Sequence, residues 1–228
     1  MFFPDRIHIR PGDRVLEVGP GGTPHPRADI LLERRFADDE AAAQRGHTPP
    51  LDTVRQVVLY DGGRFPFDDR AFDYVICSHV LEHVEDVPAF AAELGRVAPR
   101  GYLEFPTVFY EYLYNFRVHR NLLHFAGGEL LWMRKDRLPF SAFLPVQTFF
   151  YNALCHGYDD IVVALKEQMF AGFEWSEKIV TRETAELAGL CPVDQTFTFP
   201  PNPLKPPPTP GRELVRELLH RARRRLLG

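Results

Sequence analysis

The stretch VLEVGPGG, which begins at Val15, limits the fold of this chain more than any other feature. Its apolar residues predict the end of a buried strand, and Glu17 places a carboxylate within that strand. Gly19 and Gly21 then let the backbone turn sharply and approach a ligand closely, because glycine has no Cβ atom. The stretch therefore predicts a buried strand that leads directly into a ligand-binding turn.

Apolar strands alternate with helical stretches through the first half of the chain. The helical spacing is clearest at Val87–Val97, where apolar residues recur at helical intervals before Pro99. Strands separated by helices are typical of a mostly parallel sheet that is covered on both faces. In such sheets, ligands bind beyond the carboxyl ends of the strands. The predicted strands are residues 14–18, 28–32, 54–60, 72–77 and 101–105.

Composition excludes several classes of protein. The 228 residues suffice for one well-packed domain, and 45% hydrophobic with 25% charged residues is ordinary for a globular protein. No apolar run approaches the roughly 20 residues of a membrane span, and the N-terminal segment is too interrupted by charge and proline for a signal peptide. The three cysteines are scattered without a CxxC pair, which indicates neither a disulfide framework nor a structural zinc site. We therefore expect a cytoplasmic location, and the net charge of −4 argues against general nucleic-acid binding.

The second half of the chain changes character. Residues 107–179 are rich in aromatic side chains and are too long and apolar for a loop. We expect this segment to be an inserted helical cap over the ligand-binding edge of the sheet. Thr181 is predicted to cap a short helix that ends at Gly189, and residues 193–199 are predicted to return as a strand.

The C-terminal part is a different kind of sequence again. A stiff proline-rich linker at residues 201–210 precedes residues 211–228, a predicted basic amphipathic helix. This helix holds six Arg and two Glu, so the rest of the chain has a net charge of −8. It could contact an anionic membrane surface weakly or dock on a partner, although a solvated tail or a helix packed on its own domain is the plainer interpretation. We expect no stable membrane insertion and assign residues 1–200, including the cap, to one domain.

Together these segments resemble the class I S-adenosylmethionine-dependent methyltransferases, specifically the small-molecule group with LEHV after the fourth strand. LEVGPGG is similar to their first motif, DGGRFPFDDRAFDYVICSHVLEHVEDV to the region through their fourth strand, and GYLEFP to their fifth strand. The resemblance covers residues 13–107 and, more weakly, residues 181–199. It implies a Rossmann-like, doubly wound α/β fold with a mostly parallel seven-stranded sheet, and S-adenosylmethionine as cofactor. A dehydrogenase is disfavoured, because the dinucleotide fingerprint needs a third glycine where Pro24 stands.

The resemblance also implies a cofactor site at successive strand ends. The glycine turn should line the methionine end of the cofactor, and Glu33 should accept hydrogen bonds from the ribose hydroxyls. Asp61 and Gly62 occupy the place where the family contacts the adenine amino group. Only residues 23–27 separate the glycine turn from the second predicted strand, so the usual first crossover helix should be absent or reduced to a turn. The implied cofactor-binding residues are Glu17, Gly19, Gly21, Glu33, Asp61, Gly62 and Ser78.

Taken without their context, His79, Glu82 and His83 match HxxEH, an inverted zinc-protease motif. On a helix, that spacing would place both histidines on one face. Their place after a buried strand, within a methyltransferase pattern, disfavours a protease. The expected role of Glu82 and His83 is to fix the turn through hydrogen bonds. We assign no metal ligand here, and whether a divalent ion binds near these three residues stays open.

His79 is the candidate catalytic residue. Methyl transfer is a one-step displacement that depends mainly on alignment, with a base needed only if the nucleophile carries a proton. The ordinary pKa of histidine lies near neutrality, which suits a base at this position. A histidine that packs or shapes the acceptor pocket is an equal alternative.

Aromatic residues with polar tips follow the fifth strand and suit a polar organic or sugar-like acceptor. We predict methyl transfer to an oxygen or nitrogen atom of a small molecule, from secondary metabolism or surface-glycan synthesis. Two alternatives remain: a cofactor-binding scaffold without activity, or a macromolecule methyltransferase that docks through its arginine-rich tail. A homodimer through the cap or the terminal helix is also open. The candidate acceptor-binding residues are His83, Tyr110, Tyr114, Arg117 and His119.

Overall fold

The computed structural model describes residues 2–36, 51 and 54–191. The strands, in chain order, are β1 (Val15–Val18), β2 (Ile30–Arg34), β3 (Gln56–Tyr60), β4 (Tyr74–Ser78), β5 (Arg100–Pro106), β6 (Asn121–Ala126), β7 (Glu129–Arg134), β8 (Phe170–Ser176) and β9 (Thr181–Glu183). The helices are α1 (Val87–Val97), α2 (Val108–Tyr114), α3 (Leu144–Cys155), α4 (Asp160–Ala164) and α5 (Lys166–Met169).

The main sheet has the strand order β3-β2-β1-β4-β5-β8. Its first five strands run parallel, and β8 pairs antiparallel with β5. The expected Rossmann-like α/β fold with a mostly parallel sheet is therefore confirmed. The described residues supply six strands to this sheet and not the seven we expected. The strand predicted at residues 193–199 lies outside the described residues.

The burial of each strand follows from its position in the sheet. All four residues of β1 are buried, as are the first four of β4, because central strands of a parallel sheet are covered on both faces. β3 lies at the edge and leaves Val57 and Leu59 exposed. Val18 is in register with both Leu32 of β2 and Cys77 of β4. The carboxyl ends of these three strands therefore open onto the same edge of the sheet.

Helix α1 spans the range that its apolar spacing predicts. The side chain of Asp86 accepts a hydrogen bond from the backbone N–H of Ala89, and Pro88 stands in the first turn, where its missing N–H costs nothing. Val87, Ala91, Leu94 and Val97 are its buried residues, and Leu94 belongs to the core cluster beneath the sheet. The helix ends where Pro99 follows.

The expected helical cap is not confirmed in its central part. Residues 107–179 do contain four short helices, but β6 and β7 form an antiparallel hairpin, and β8 leaves the segment to join the main sheet. Gly127 and Gly128 make the hairpin turn with φ of +60° and +81°, a conformation that glycine adopts without strain. This glycine pair between apolar runs was the sequence signal for a hairpin. The density of aromatic residues, which predicted helices, indicates burial and not a particular secondary structure.

Two further expectations differ from the structure. Thr181 does not cap a helix: Thr181–Glu183 is strand β9, which pairs parallel with β7 in a second sheet of order β6-β7-β9. Between Thr184 and Cys191, where the described residues end, the chain forms one 3-10 turn, Leu187–Gly189. The proline-rich linker and the basic terminal helix lie outside the described residues. Among the helices the structure describes, none has both the length and the apolar character needed to cross a bilayer.

Candidate active site

A cavity of about 1300 Å³ lies at the carboxyl ends of β1, β2 and β4. One side is formed by the β1–β2 loop, from Gly19 to Pro26, and by the end of β2. The other side is formed by α2, the segment that follows it and α3. The glycine turn and the aromatic segment, which are far apart in the sequence, therefore face the same space.

The β1–β2 connection is a loop without a helix, as its length predicts. Glu17 lies within β1, is 4% exposed, and accepts a hydrogen bond of 2.7 Å from the backbone N–H of His25. Burial raises the pKa of Glu17 to about 7, although the bond from His25 and the charge of Arg55 act in the opposite direction. Arg55 also donates to the carbonyl oxygen of His25 at 2.7 Å, which ties this loop to the start of β3. The carboxylate of Glu17 thus lies in the cavity wall, held in place by the loop.

Gly19 is required at its position by two independent features. Its φ is +65°, and a Cβ atom added there would lie 2.4 Å from Cγ2 of Val80. Val80 belongs to the HVLEH turn, residues 79–83, which follows β4. The glycine turn and the HVLEH turn are therefore packed against each other. Gly21 also has positive φ, +59°, and lines the cavity.

Of the residues implied to contact the ribose and the adenine, Glu33 lines the cavity, whereas Asp61 and Gly62 do not. Glu33 is half-buried near the end of β2 and lines the cavity. Asp61 is 78% exposed, pairs with Arg35 at 3.5 Å, and is absent from the described cavity lining, as is Gly62. The structure thus does not bring Asp61 and Gly62 to the cavity wall, and both residues are exposed directly after β3. Tyr60, the last residue of β3, lines the cavity instead, and burial raises its pKa to about 12.

Glu104 is the polar centre of this edge of the sheet, and sequence analysis missed it. It is fully buried on β5 and accepts hydrogen bonds from the backbone N–H groups of Phe2 and Phe3, from the hydroxyl of Tyr102 at 2.7 Å and from Ser78 Oγ at 3.0 Å. Burial alone would raise the pKa of Glu104, but hydrogen bonds from His79, Tyr102 and the N-terminal backbone lower it to about 2. A carboxylate inside the apolar strand GYLEF was the available signal.

His79 lies between two carboxylates. Its Nε2 is 3.1 Å from Oε1 of Glu104, and its Nδ1 is 3.4 Å from Oε1 of Glu82. Burial alone would lower the pKa of His79, but these two carboxylates raise it to about 9. Its backbone has a φ of +58°, held by a 2.8 Å hydrogen bond from its N–H to the carbonyl oxygen of Glu104. His79 therefore has the contacts of a positioned cation, which argue against its predicted role as a base.

The HxxEH motif is not helical. Residues 81–83 form a turn between β4 and α1, so the helical face that a zinc protease uses does not exist here. Asn121 holds this turn by donating from its side chain to the carbonyl oxygens of Leu81 and Val84. The backbone N–H of Asn121 donates to the carbonyl oxygen of Glu82 as well.

The predicted acceptor-binding residues His83, Tyr110, Tyr114, Arg117 and His119 all line the cavity. Tyr110 stacks on Phe116 at a ring separation of 5.3 Å and contacts Phe170, so it is both wall and packing residue. Phe2 also lines the cavity and stacks on Phe170 at 3.7 Å. This contribution from the N-terminus could not be predicted from local sequence, since Phe2 is held by the buried carboxylate of Glu104 on β5.

Part of the chain is similar to known methyltransferases. Residues 32–105 match a family model described as a methyltransferase domain. A solved S-adenosylmethionine-dependent methyltransferase from Mesorhizobium loti is 18% identical, with 72% of this chain and 90% of that chain covered and a TM-score of 0.36. The YcgJ protein of Bacillus subtilis is 20% identical, with 45% of this chain and 50% of that chain covered and a TM-score of 0.32. A S-adenosylmethionine-dependent methyltransferase from Methanosarcina mazei is 16% identical, with 52% and 69% covered and a TM-score of 0.32.

The match to the YcgJ protein thus spans about half of that protein's length. No curated protein sequence matches the chain. The family match is confined to residues 32–105, which run from β2 into β5.

Proposed function

We propose that this chain, which carries a methyltransferase domain of the class I S-adenosylmethionine-dependent type, transfers a methyl group to an oxygen or nitrogen atom of a small molecule. The observation that carries this proposal is the shared cavity, which joins the glycine turn to an aromatic wall with polar tips. Its volume of about 1300 Å³ exceeds the roughly 300–1,000 Å³ of a typical single-ligand pocket. That volume leaves room for a cofactor and an acceptor side by side.

The residues on the β1–β2 side fit S-adenosylmethionine. Glu17 offers a buried carboxylate to a ligand ammonium, and Gly19 and Gly21 leave space where side chains would intrude. Glu33 offers a carboxylate that can accept from two adjacent ribose hydroxyls. The bound cofactor supplies an electrophilic methyl group on a sulfonium centre. The protein's part is to hold its two ends and to expose that methyl group to the acceptor side.

The acceptor side supports a small polar molecule. Tyr110, Tyr114, Arg117 and His119 combine ring surfaces with hydrogen-bonding tips on the wall formed by α2 and the segment after it. A displacement of this kind depends mainly on the alignment of nucleophile, methyl group and sulfur, which the cavity walls can provide for a nucleophile that carries no proton. An O–H or N–H nucleophile must in addition lose its proton to a base or to water. Both ring nitrogens of His79 face carboxylates, so we assign it the role of a positioning residue.

Calorimetric titration of the full chain with S-adenosylhomocysteine tests the cofactor site. We expect the Glu33→Ala variant to bind about 10- to 100-fold more weakly, the loss expected for hydrogen bonds to a charged group. Asp61→Ala is the matched control: it removes an exposed carboxylate that does not line the cavity, and should bind as the unmodified chain does. Failure of the folded, unmodified chain to bind S-adenosylhomocysteine would refute the proposal.

Labelled S-adenosylmethionine then identifies the class of acceptor. The chain is incubated with a cell extract separated into a small-molecule filtrate and a fraction of protein and nucleic acid. The proposal expects label to enter the filtrate. Label confined to the macromolecular fraction would instead support a macromolecule methyltransferase, and cofactor binding without transfer to either fraction would support a scaffold.

A further inference from the structure

Three side chains on the acceptor side of the cavity converge in a way that methyl transfer does not require. Glu82 and His83 lie on the turn after β4, and His119 lies just before β6. One ligand atom from each of the three lies within 4.8 Å of the other two, and all three side chains line the cavity. The spacing is slightly wider than the roughly 3.4 Å between ligand atoms that share a tetrahedral metal ion with bonds of about 2.1 Å.

Both histidines are oriented as metal-ligating histidines are. Nδ1 of His83 lies 3.3 Å from the carbonyl oxygen of Val118, and Nδ1 of His119 is in a short contact with Oε1 of Glu111. Because an acceptor oxygen stands next to each Nδ1, Nδ1 is placed to donate, and Nε2 is the nitrogen left to bind a metal. A carboxylate or a carbonyl on the second nitrogen is the usual support of a histidine that binds a metal through the first.

Glu82 gives the second, independent sign of a ligand. Its side chain is about 1% exposed, and within the described residues neither carboxylate oxygen accepts a well-formed hydrogen bond. Its nearest ion-pair contacts within that part of the chain are with His79 Nδ1 at 3.4 Å and His83 Nε2 at 4.0 Å. Buried polar atoms are nearly always satisfied in folded proteins, so a buried carboxylate held only by these long contacts among the described residues has capacity for a further partner.

The surroundings hold this group of side chains in place. Glu111 is fully buried and its other oxygen accepts a 2.8 Å bond from Nζ of Lys135, which also donates to the carbonyl oxygen of Phe116. Asn121 fixes the turn that carries Glu82 through bonds to the backbone on both sides of it. Such support reduces the reorganisation that a bound ion would require.

We propose that Glu82, His83 and His119 bind one divalent metal ion of the zinc type, with a further coordination position open to the acceptor side of the cavity. Two imidazole nitrogens and one carboxylate oxygen suit zinc and neighbouring transition metals, whereas magnesium and calcium prefer oxygen ligands alone. Three protein ligands with an open position is the arrangement of a reactive site and not of a closed structural one. The open position would take an oxygen or nitrogen atom of the acceptor. The proposal departs from the sequence-based assignment of no metal ligand, and it uses His119, which the HxxEH motif does not contain.

Zinc titration of the full chain, after treatment with a chelator, tests the site without any measurement of activity. We expect the unmodified chain to bind one equivalent of Zn²⁺, and the variants His83→Gln and His119→Gln to bind it at least about tenfold more weakly. His156→Gln is the control, because His156 is exposed, lies outside the cavity lining and should leave zinc binding unchanged. Binding of Co²⁺ should give the visible absorption of a four- or five-coordinate ion, and the two variants should lose it.

Thermal unfolding and titration with S-adenosylhomocysteine accompany each measurement. If one histidine variant does not fold, the other and Glu82→Gln decide the outcome. The proposal is overturned if the folded, unmodified chain binds no stoichiometric zinc, or if His83→Gln and His119→Gln bind it as the unmodified chain does. Because S-adenosylhomocysteine is titrated separately, failure of the metal site leaves the proposed methyl transfer standing.

Discussion

Replacing Gly19 with alanine tests how the glycine turn and the HVLEH turn are packed together. At a φ of +65°, an L-residue costs about 1–2 kcal/mol relative to glycine. The added Cβ would also lie 2.4 Å from Cγ2 of Val80, and overpacking of this kind costs about 1–3 kcal/mol. We therefore expect Gly19→Ala to lower the free energy of unfolding by about 2–5 kcal/mol in total.

Urea unfolding of the full chain measures this loss, and two further variants separate its parts. Gly63→Ala is the matched control: Gly63 has a φ of +70°, but a Cβ atom added there would meet no described atom within 4 Å, so this variant should lose only about 1–2 kcal/mol. In the background of Val80→Ala, the clash is removed, and Gly19→Ala should then cost about as much as Gly63→Ala. Equal losses for Gly19→Ala and Gly63→Ala in the unmodified background would refute the reasoning.

Two other predictions concern buried charges. Because burial raises the pKa of Glu17 to about 7, its ionised fraction rises from about one tenth at pH 6 to nine tenths at pH 8, so S-adenosylhomocysteine should bind up to about tenfold more tightly at the higher pH. Calorimetry over this range should show no such rise for Glu17→Gln, and a rise of the same size in that variant would contradict the assignment. Lys135→Met removes the 2.8 Å partner of the buried Glu111 carboxylate, which keeps its contact with His119, and should cost about 1–3 kcal/mol in urea unfolding. The double variant Lys135→Met/Glu111→Gln should recover part of that loss, and an unchanged stability of the single variant would show that the ion pair is not needed.

The local elements near the start of the chain could be predicted because their signals are local. The run at Val15 is apolar throughout apart from Glu17, as a strand covered on both faces must largely be, and helix α1 begins at an acidic cap and ends before a proline. The predicted second strand was shifted by two residues from Ile30–Arg34, since burial and not local sequence sets where a strand pairing ends. The segment 107–179 was misassigned for a related reason: its aromatic residues predict burial, and burial is compatible with either helix or strand.

The sequence by itself determined that the sheet is mostly parallel and that a glycine turn ends β1. Glycine and apolar patterning act through backbone conformation and burial, and both can be read over a few neighbouring residues. Only the tertiary structure decided that Asp61 is exposed away from the cavity and that Glu104 binds the backbone of the N-terminal residues. It also decided that His119 lies close to Glu82 and His83. These contacts join residues tens of positions apart, and their geometry depends on how β5, β6 and the turn after β4 pack. The sequence specifies which chemical group each side chain carries, but the fold determines which other groups that side chain contacts.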